Sequence, residues 1–325
     1  MDTTRNRLIE ILSANEDDYI SGQELSKRLG ISRNSVWKHI KALKKDGYVI
    51  EGVTRKGYRI IEQPDKVSEN TIKWGLKTKW LGQTIIHKRE GASTQVLIHE
   101  AAQEGADHGT VAILDKPTEG RGRLTRKWQS LENTGMWLSI LLRPEILPQQ
   151  APQLTLLTAT VVADLLKEDF AVEPMIKWPN DVLLQKKKVA GILTEMQAEQ
   201  DRIQYIVLGI GLNINHTEKD LPETTNYQAT SLFLETGKKW RIQSIIRQFL
   251  NRFEKAYEDY MENGFPPIRK KWESYSLKLG KTIRIKTPKE EKDVLFHGIA
   301  EDGALVIIDH SGQKENIYSA EIEWF

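Results

Sequence analysis

The chain has 325 residues, 39% hydrophobic and 28% charged, with 47 Lys and Arg against 45 Asp and Glu. Such a length suggests two or three domains, and the composition excludes wholesale disorder. The net charge of +2 gives no global pull toward nucleic acid or membrane, so any polyanion site must be local, and the absence of cysteine excludes disulfides, thiolate catalysis and thiolate-held zinc or iron–sulfur centres.

The first residues lack the apolar core of a signal peptide, and the most apolar stretch, Ala151 to Leu166, is interrupted by Gln153, several threonines and Asp164. A cytoplasmic protein without a membrane span is expected. Between Lys27 and Arg59, ten basic residues (Lys27, Arg28, Arg33, Lys38, Lys41, Lys44, Lys45, Arg55, Lys56, Arg59) stand against Asp46 and Glu51, a local excess of +8. Ser21-Gly22-Gln23-Glu24 has the form of a capping box and predicts a helix that carries Leu25 inward and ends at Leu29-Gly30. Ser32 then caps a second helix with the apolar stripe Val36, Ile40 and Leu43. Its opposite face carries Arg33, Asn34, Ser35, Lys38, His39 and Lys41, donors suited to phosphates and base edges. Tyr48 to Ile60 reads as a hairpin with Arg55 and Lys56 near its turn. Together these elements predict a winged helix-turn-helix with a basic wing. The alternative is a solvated basic helical hairpin used only for packing. Pro64 and Asp65 mark a boundary, giving a first domain of 1–65.

Val111 to Leu114 and Met136 to Leu142 read as buried strands. Between them lies a long segment, Asp115 to Trp128. Gly120 and Gly122 allow close backbone approach, Arg121, Arg123, Arg126 and Lys127 bring positive charge, and Trp128 offers a flat face for a base. The chemistry suggested is binding of a nucleotide phosphate, although such a loop by itself could equally contact nucleic acid or be a mobile surface loop. It is neither a Walker loop nor a Rossmann fingerprint. Helical patterns at Pro152 to Glu168 and Ile242 to Asn263 are expected to cover a central sheet. A strand over Val172 to Ile176 runs into Lys177-Trp178-Pro179-Asn180-Asp181, followed by Ala190-Gly191-Ile192-Leu193. A later strand from Tyr205 leads into Gly209-Ile210-Gly211-Leu212-Asn213. Beyond Leu279, short β-rich runs punctuated by Gly280, Gly298, Gly303 and Gly312 predict a small all-β domain of about 50 residues.

The Gly120-Arg121-Gly122-Arg123, Lys177 to Asp181, Ala190 to Leu193 and Gly209 to Asn213 motifs resemble, in order and approximate spacing, those of the biotin protein ligases. With the winged helix in front, the chain is similar over essentially its whole length to the bifunctional members that also repress the biotin operon. The resemblance implies a multidomain α+β protein: a winged helix-turn-helix at 1–65, a mixed α/β catalytic domain of the biotin/lipoate ligase type at 66–275, and an SH3-like β-barrel at 276–325. It implies activation of biotin by ATP to biotinyl-5′-AMP, with Mg2+ accompanying the triphosphate and no resident metal, then transfer to one lysine of a biotin carboxyl carrier protein. Both steps join or separate negative charges, so electrostatics and positioning dominate and no protein nucleophile is needed. The implied partners are the carrier protein, operator DNA and a second copy of the chain when the adenylate is bound.

By the same resemblance, Ser93, Thr94 and Gln95 hold the ureido ring of biotin, and Gly120 to Arg123 close over the valeryl chain and phosphate. Lys177, with Arg123, carries the chemistry beside the carboxylate. Gly209 and Gly211 let backbone approach the biotin rings. Arg121, Arg126, Trp128 and Asn180 lie on the nucleotide side, with Glu321 a further candidate there. Ser32 to Lys41 and the wing would touch DNA. This chain departs from the family in having Pro117 where a glutamine is usual, Glu119 where a small residue is usual, Ser130-Leu131-Glu132-Asn133 in place of Ser-Pro-x-Gly, and Gln95 in place of asparagine. These changes bear on affinity more than on reaction type. Two other readings compete. A non-catalytic biotin-sensing regulator needs neither Lys177 nor the arginine loop, and a lipoate or octanoate ligase is disfavoured by that loop together with the DNA-binding segment.

Overall fold

Caps decide where the first helices begin. In the computed structural model, which describes residues 3–14, 18–123, 126–221, 228–286 and 290–323, contacts divide the chain into two units, Met1–Lys77 and Thr78–Phe325. The first contains α1 (Thr3–Ser13), α2 (Gly22–Leu29), α3 (Arg33–Lys45), the strands β1 (Val49–Val53) and β2 (Gly57–Glu62), and α4 (Glu69–Lys73). The Ser21 hydroxyl accepts from the Glu24 backbone N–H at 3.1 Å, and Gly30 ends α2 in the left-handed region. The reciprocal half of the expected capping box is replaced: the Glu24 carboxylate turns to Arg28 at 2.7 Å, an ion pair one helical turn away. Ser32 caps α3 by accepting from the Ser35 N–H at 3.1 Å.

Leu25 and Leu29 of α2, Val36, Ile40 and Leu43 of α3, and Leu8, Ile9 and Leu12 of α1 form one core with Tyr48, Ile50, Ile60 and Trp74. The β1–β2 hairpin follows α3, with Arg55 in its turn at φ 69°. It is pinned by Ile20, whose backbone exchanges two hydrogen bonds with Tyr58. Gly57, at φ 122°, is required there, because a Cβ would stand 2.0 Å from the Ile20 carbonyl oxygen.

The second unit holds β3 (Ile85–Gly91), α5 (Thr94–Gln103), β4 (Val111–Pro117), β5 (Gly135–Leu142), α6 (Ala151–Phe170), β6 (Pro174–Lys177), β7 (Asp181–Leu184), β8 (Lys187–Glu199), β9 (Arg202–Asn213), α7 (Leu232–Thr236), α8 (Ile242–Asn263) and α9 (Pro266–Tyr275). Among the described residues, seven strands form one sheet in the order β3-β4-β5-β9-β8-β7-β6, parallel between β3 and β4 and antiparallel elsewhere. All of β5 is buried, because α5 and α8 pack against it. The long helix α6, expected from the pattern at Pro152 to Glu168, packs on β6 to β8 and against α8 and α9. Each fully buried Leu or Phe in these layers, such as Leu157, Phe249 or Phe253, contributes roughly 1.5–3 kcal/mol. Buried Glu254 of α8 is satisfied by the backbone N–H groups of Lys79, Trp80 and Leu81 at 2.7–3.0 Å, which fixes the start of the unit.

The C-terminal strands β10 (Thr282–Lys286), β11 (Glu291–Ile299), β12 (Leu305–Ile308), β13 (Lys314–Ile317) and β14 (Glu321–Glu323) form an antiparallel sheet in the order β13-β12-β11-β10-β14. The small β domain expected from the glycine-punctuated runs is present. Among the described residues its sheet is open, with β13 and β14 at the two edges.

Candidate active site

The registers of the central sheet bring the distant motifs to one end of it. Pairing of β6 with β7 sets Lys177 opposite Asp181, pairing of β7 with β8 sets Asp181 opposite Gly191, and pairing of β8 with β9 sets Gly191 opposite Gly211. These positions floor a cavity of about 540 Å³. Ser93, Thr94, Gln95, Gly120, Arg121, Gly122, Arg123, Arg126, Trp128, Lys177, Asn180, Gly209, Gly211 and Glu321 all line it, so every ligand-site residue expected from the sequence converges there.

The loop is folded over this floor by its own backbone. Gly122 N–H donates to the Arg126 carbonyl at 2.7 Å and Trp128 N–H to the Gly120 carbonyl at 2.9 Å. Leu124 and Thr125 of the loop lie outside the described residues. Trp128 lies flat across the glycines: a Cβ at Gly191 or Gly211 would stand 2.7 or 2.8 Å from its indole. Its indole N–H is buried and finds no acceptor among the described residues, which leaves a donor for a ligand. Arg123 Nη1 donates to the Asn180 side-chain oxygen at 3.4 Å, and the Asn180 amide in turn donates to the Ile192 carbonyl at 2.8 Å. Arg126 pairs with Glu321.

Lys177 is only 7% exposed. The neighbouring Trp178 indole N–H donates to the Gly303 carbonyl at 3.1 Å and anchors this turn to the C-terminal strands. Burial pushes the Lys177 ammonium down to about 8; Asp181 opposes that shift, while Lys188 and Arg126 add to it. Holding the charge in this place therefore costs the fold on the order of 3 kcal/mol below pH 8, a cost that fades as pH rises toward the value of a free lysine. Burial also lowers Arg123, against Asp181. A site that keeps two desolvated cations, with Arg121, Lys127 and Lys188 around them, is built for an anion.

Several participants were not singled out from the sequence. Lys188 reaches Asp181 at 2.7 Å and sits 5.0 Å from the Trp128 ring centroid, yet in sequence it closes a run of three lysines that reads as a solvated turn. Ser139, buried in the middle of β5, donates to Gln95, and no local pattern distinguishes it from the apolar residues around it. Pro117 lines the cavity where the family's glutamine was expected, whereas Glu119 is exposed and absent from that lining, so its charge stands outside the deep site.

The other group of predicted residues lies on the first unit. Arg33, Asn34, Lys38 and Lys41 are exposed on α3, Ser35 and His39 are partly covered, Ser32 is the cap, and Arg55 and Lys56 are exposed at the hairpin turn. No described helix is long and apolar enough to cross a membrane.

Comparison with known proteins follows the same division. Residues 4–59 match an HTH domain, 88–213 match the biotin/lipoate A/B protein ligase family, and 278–324 match the biotin protein ligase C-terminal domain. The bifunctional ligase/repressor BirA of Bacillus subtilis (strain 168) is 46% identical over 321 residues, covering 99% of this chain and 98% of its own. The protein of the same name from Bacillus spizizenii is equally similar, with the same coverage. Among solved structures, the biotin protein ligase from Aquifex aeolicus in complex with biotin and ATP is 32% identical, with a TM-score of 0.63 over 74% of this chain and 98% of that one. With each part of the chain matching its counterpart and near half of all positions shared along the full length of two relatives, the chain belongs to the family of bifunctional biotin protein ligases and repressors.

Proposed function

We infer that this protein activates biotin with ATP, passes the biotinyl group to a lysine of a biotin carboxyl carrier protein, and represses transcription through its helix-turn-helix. The observation that carries the catalytic reading is the desolvated ammonium of Lys177 in a cavity lined by the arginine loop. In the first step a biotin carboxylate oxygen attacks the α-phosphorus of ATP, and the bond to pyrophosphate breaks. Lys177 neutralises the attacking carboxylate, and Arg123 meets the charge that builds on the phosphate. Trp128 offers its ring to the base, Gly209 and Gly211 leave room for the biotin rings, and Asn180 keeps Arg123 aimed inward. In the second step the carrier's lysine amine attacks the acyl carbonyl and AMP leaves, with Lys177 polarising that carbonyl. The cavity donors are mainly cationic, which fits Mg2+ only as a companion of the triphosphate, held by phosphate oxygens.

For repression, the exposed cations of α3 and the hairpin turn support a winged helix-turn-helix whose second helix enters a major groove. A bound adenylate would order the arginine loop and favour a homodimer through the central sheet, so that paired helices meet a palindromic operator. The C-terminal strands are read as a small SH3-like domain, and the protein as cytoplasmic. Incubation with biotin and ATP labelled on the α-phosphate tests the enzyme: labelled biotinyl-adenylate is expected, followed by loss of label as a carrier domain is biotinylated. Failure to form any adenylate would turn the reading toward a non-catalytic sensor.

A further inference from the structure

One polar chain leaves the cavity and runs over β5, β8 and β9 along the sheet face that α5 covers. Thr94 Oγ1 lies 2.7 Å from Ser139 Oγ, and the Ser139 hydroxyl donates to Gln95 Oε1 at 2.9 Å. Gln95 Nε2 donates to a carboxylate oxygen of Glu195 at 3.1 Å and to the Leu193 carbonyl at 3.3 Å. That same Glu195 oxygen lies 3.1 Å from His99 Nε2, and His99 Nδ1 lies 3.3 Å from the Tyr205 hydroxyl.

Hydroxyls can turn either way, but a carboxylate and a backbone carbonyl only accept. Glu195 and Leu193 therefore decide which end of the Gln95 amide is nitrogen. With Nε2 committed to them, Oε1 takes the Ser139 proton. Ser139, having spent its proton, accepts from Thr94. The direction of every bond in the chain follows from the acceptor at its end. At the cavity end, Thr94 and Gln95 are thereby left with oxygen lone pairs, a pair of acceptors matched to the two N–H groups of a cyclic urea.

We propose that Glu195, braced by His99, is a positioning residue for biotin: it sets the polarity of the Gln95 amide so that the cavity presents acceptors, and not donors, to the ureido ring. Pro117 lines the same cavity and supplies no side-chain hydrogen bond there. The inference rests on the ligase reading above and adds the residue that orients its ligand-binding amide.

The test is pyrophosphate exchange by the full-length protein and by Glu195→Gln, with biotin and ATP varied separately. A glutamine can donate as well as accept, so it releases the Gln95 amide to flip. The expected result is a KM for biotin raised about tenfold, with the KM for ATP and kcat within about twofold of the parent. Glu195→Asp, which keeps an acceptor-only end, should recover part of the loss. Should Glu195→Gln fail to fold, His99→Ala answers the same question, with a smaller rise of about threefold confined to the biotin KM. A biotin KM unchanged in the folded variant, or raised together with that for ATP, overturns the proposal. A parent that exchanges no pyrophosphate overturns the ligase reading instead, so the two failures are distinguishable.

Discussion

The first unit and the cavity use the same residue types in opposite solvation. On α3 and the hairpin turn, Arg33, Lys38, Lys41, Arg55 and Lys56 are exposed to water, with Lys41 over the Trp37 ring and Lys56 over the Tyr19 ring. In the cavity, Lys177 is buried, and Arg123 is partly covered and hydrogen-bonded to Asn180. Exposed cations recruit a polyanion collectively and are screened by salt, each contributing little. Buried cations have already lost their water, so each acts strongly on one anion at one place. The difference shows how a chain with a net charge of only +2 can hold two separate clusters of cations.

The comparison breaks most readily at Lys177. Replacement by alanine is expected to slow adenylate formation by about 100- to 1,000-fold in single-turnover experiments while far-ultraviolet circular dichroism is unchanged. A loss of only a few-fold would place Lys177 with the surface cations. Arg123→Gly should next let the adenylate escape about 10- to 100-fold faster, read by chasing labelled adenylate with unlabelled biotin. Gly211→Ala examines the floor: a Cβ 2.8 Å from the Trp128 indole must displace the ring and crowd the backbone expected against the biotin rings, so the KM values for ATP and for biotin should each rise about tenfold. The smallest effect belongs to the first unit. Lys38→Ala should weaken binding to all duplexes by a few-fold and reduce the slope of log affinity against log salt by about 1, measured by fluorescence anisotropy.

The first unit was largely legible in the sequence, because helix boundaries there are set by local chemistry: the Ser21 and Ser32 caps, Gly30, and the Val36, Ile40, Leu43 stripe each act within a few residues. Even so, Glu24 chose Arg28 over the cap, since an exposed pair one turn away competes on equal terms with a backbone N–H. In the cavity, the motifs were visible and their convergence was not. Lys177 meets Gly211 only through the registers of four strands, and nothing in a stretch of sequence states a register. Ser139, Glu195 and His99 escaped notice for the same reason: their partners are set by tertiary pairing across β5, β8, β9 and α5.

The pH dependence of kcat/KM at limiting biotin is the sharpest probe of a desolvated, charged Lys177, because it reports the free enzyme. With the ammonium held at about 8 by burial, the rate should be level below that value and fall about tenfold per pH unit above it. A profile flat to pH 10 would mean that Lys177 either keeps its charge as a solvated surface lysine does or plays no part in activating biotin.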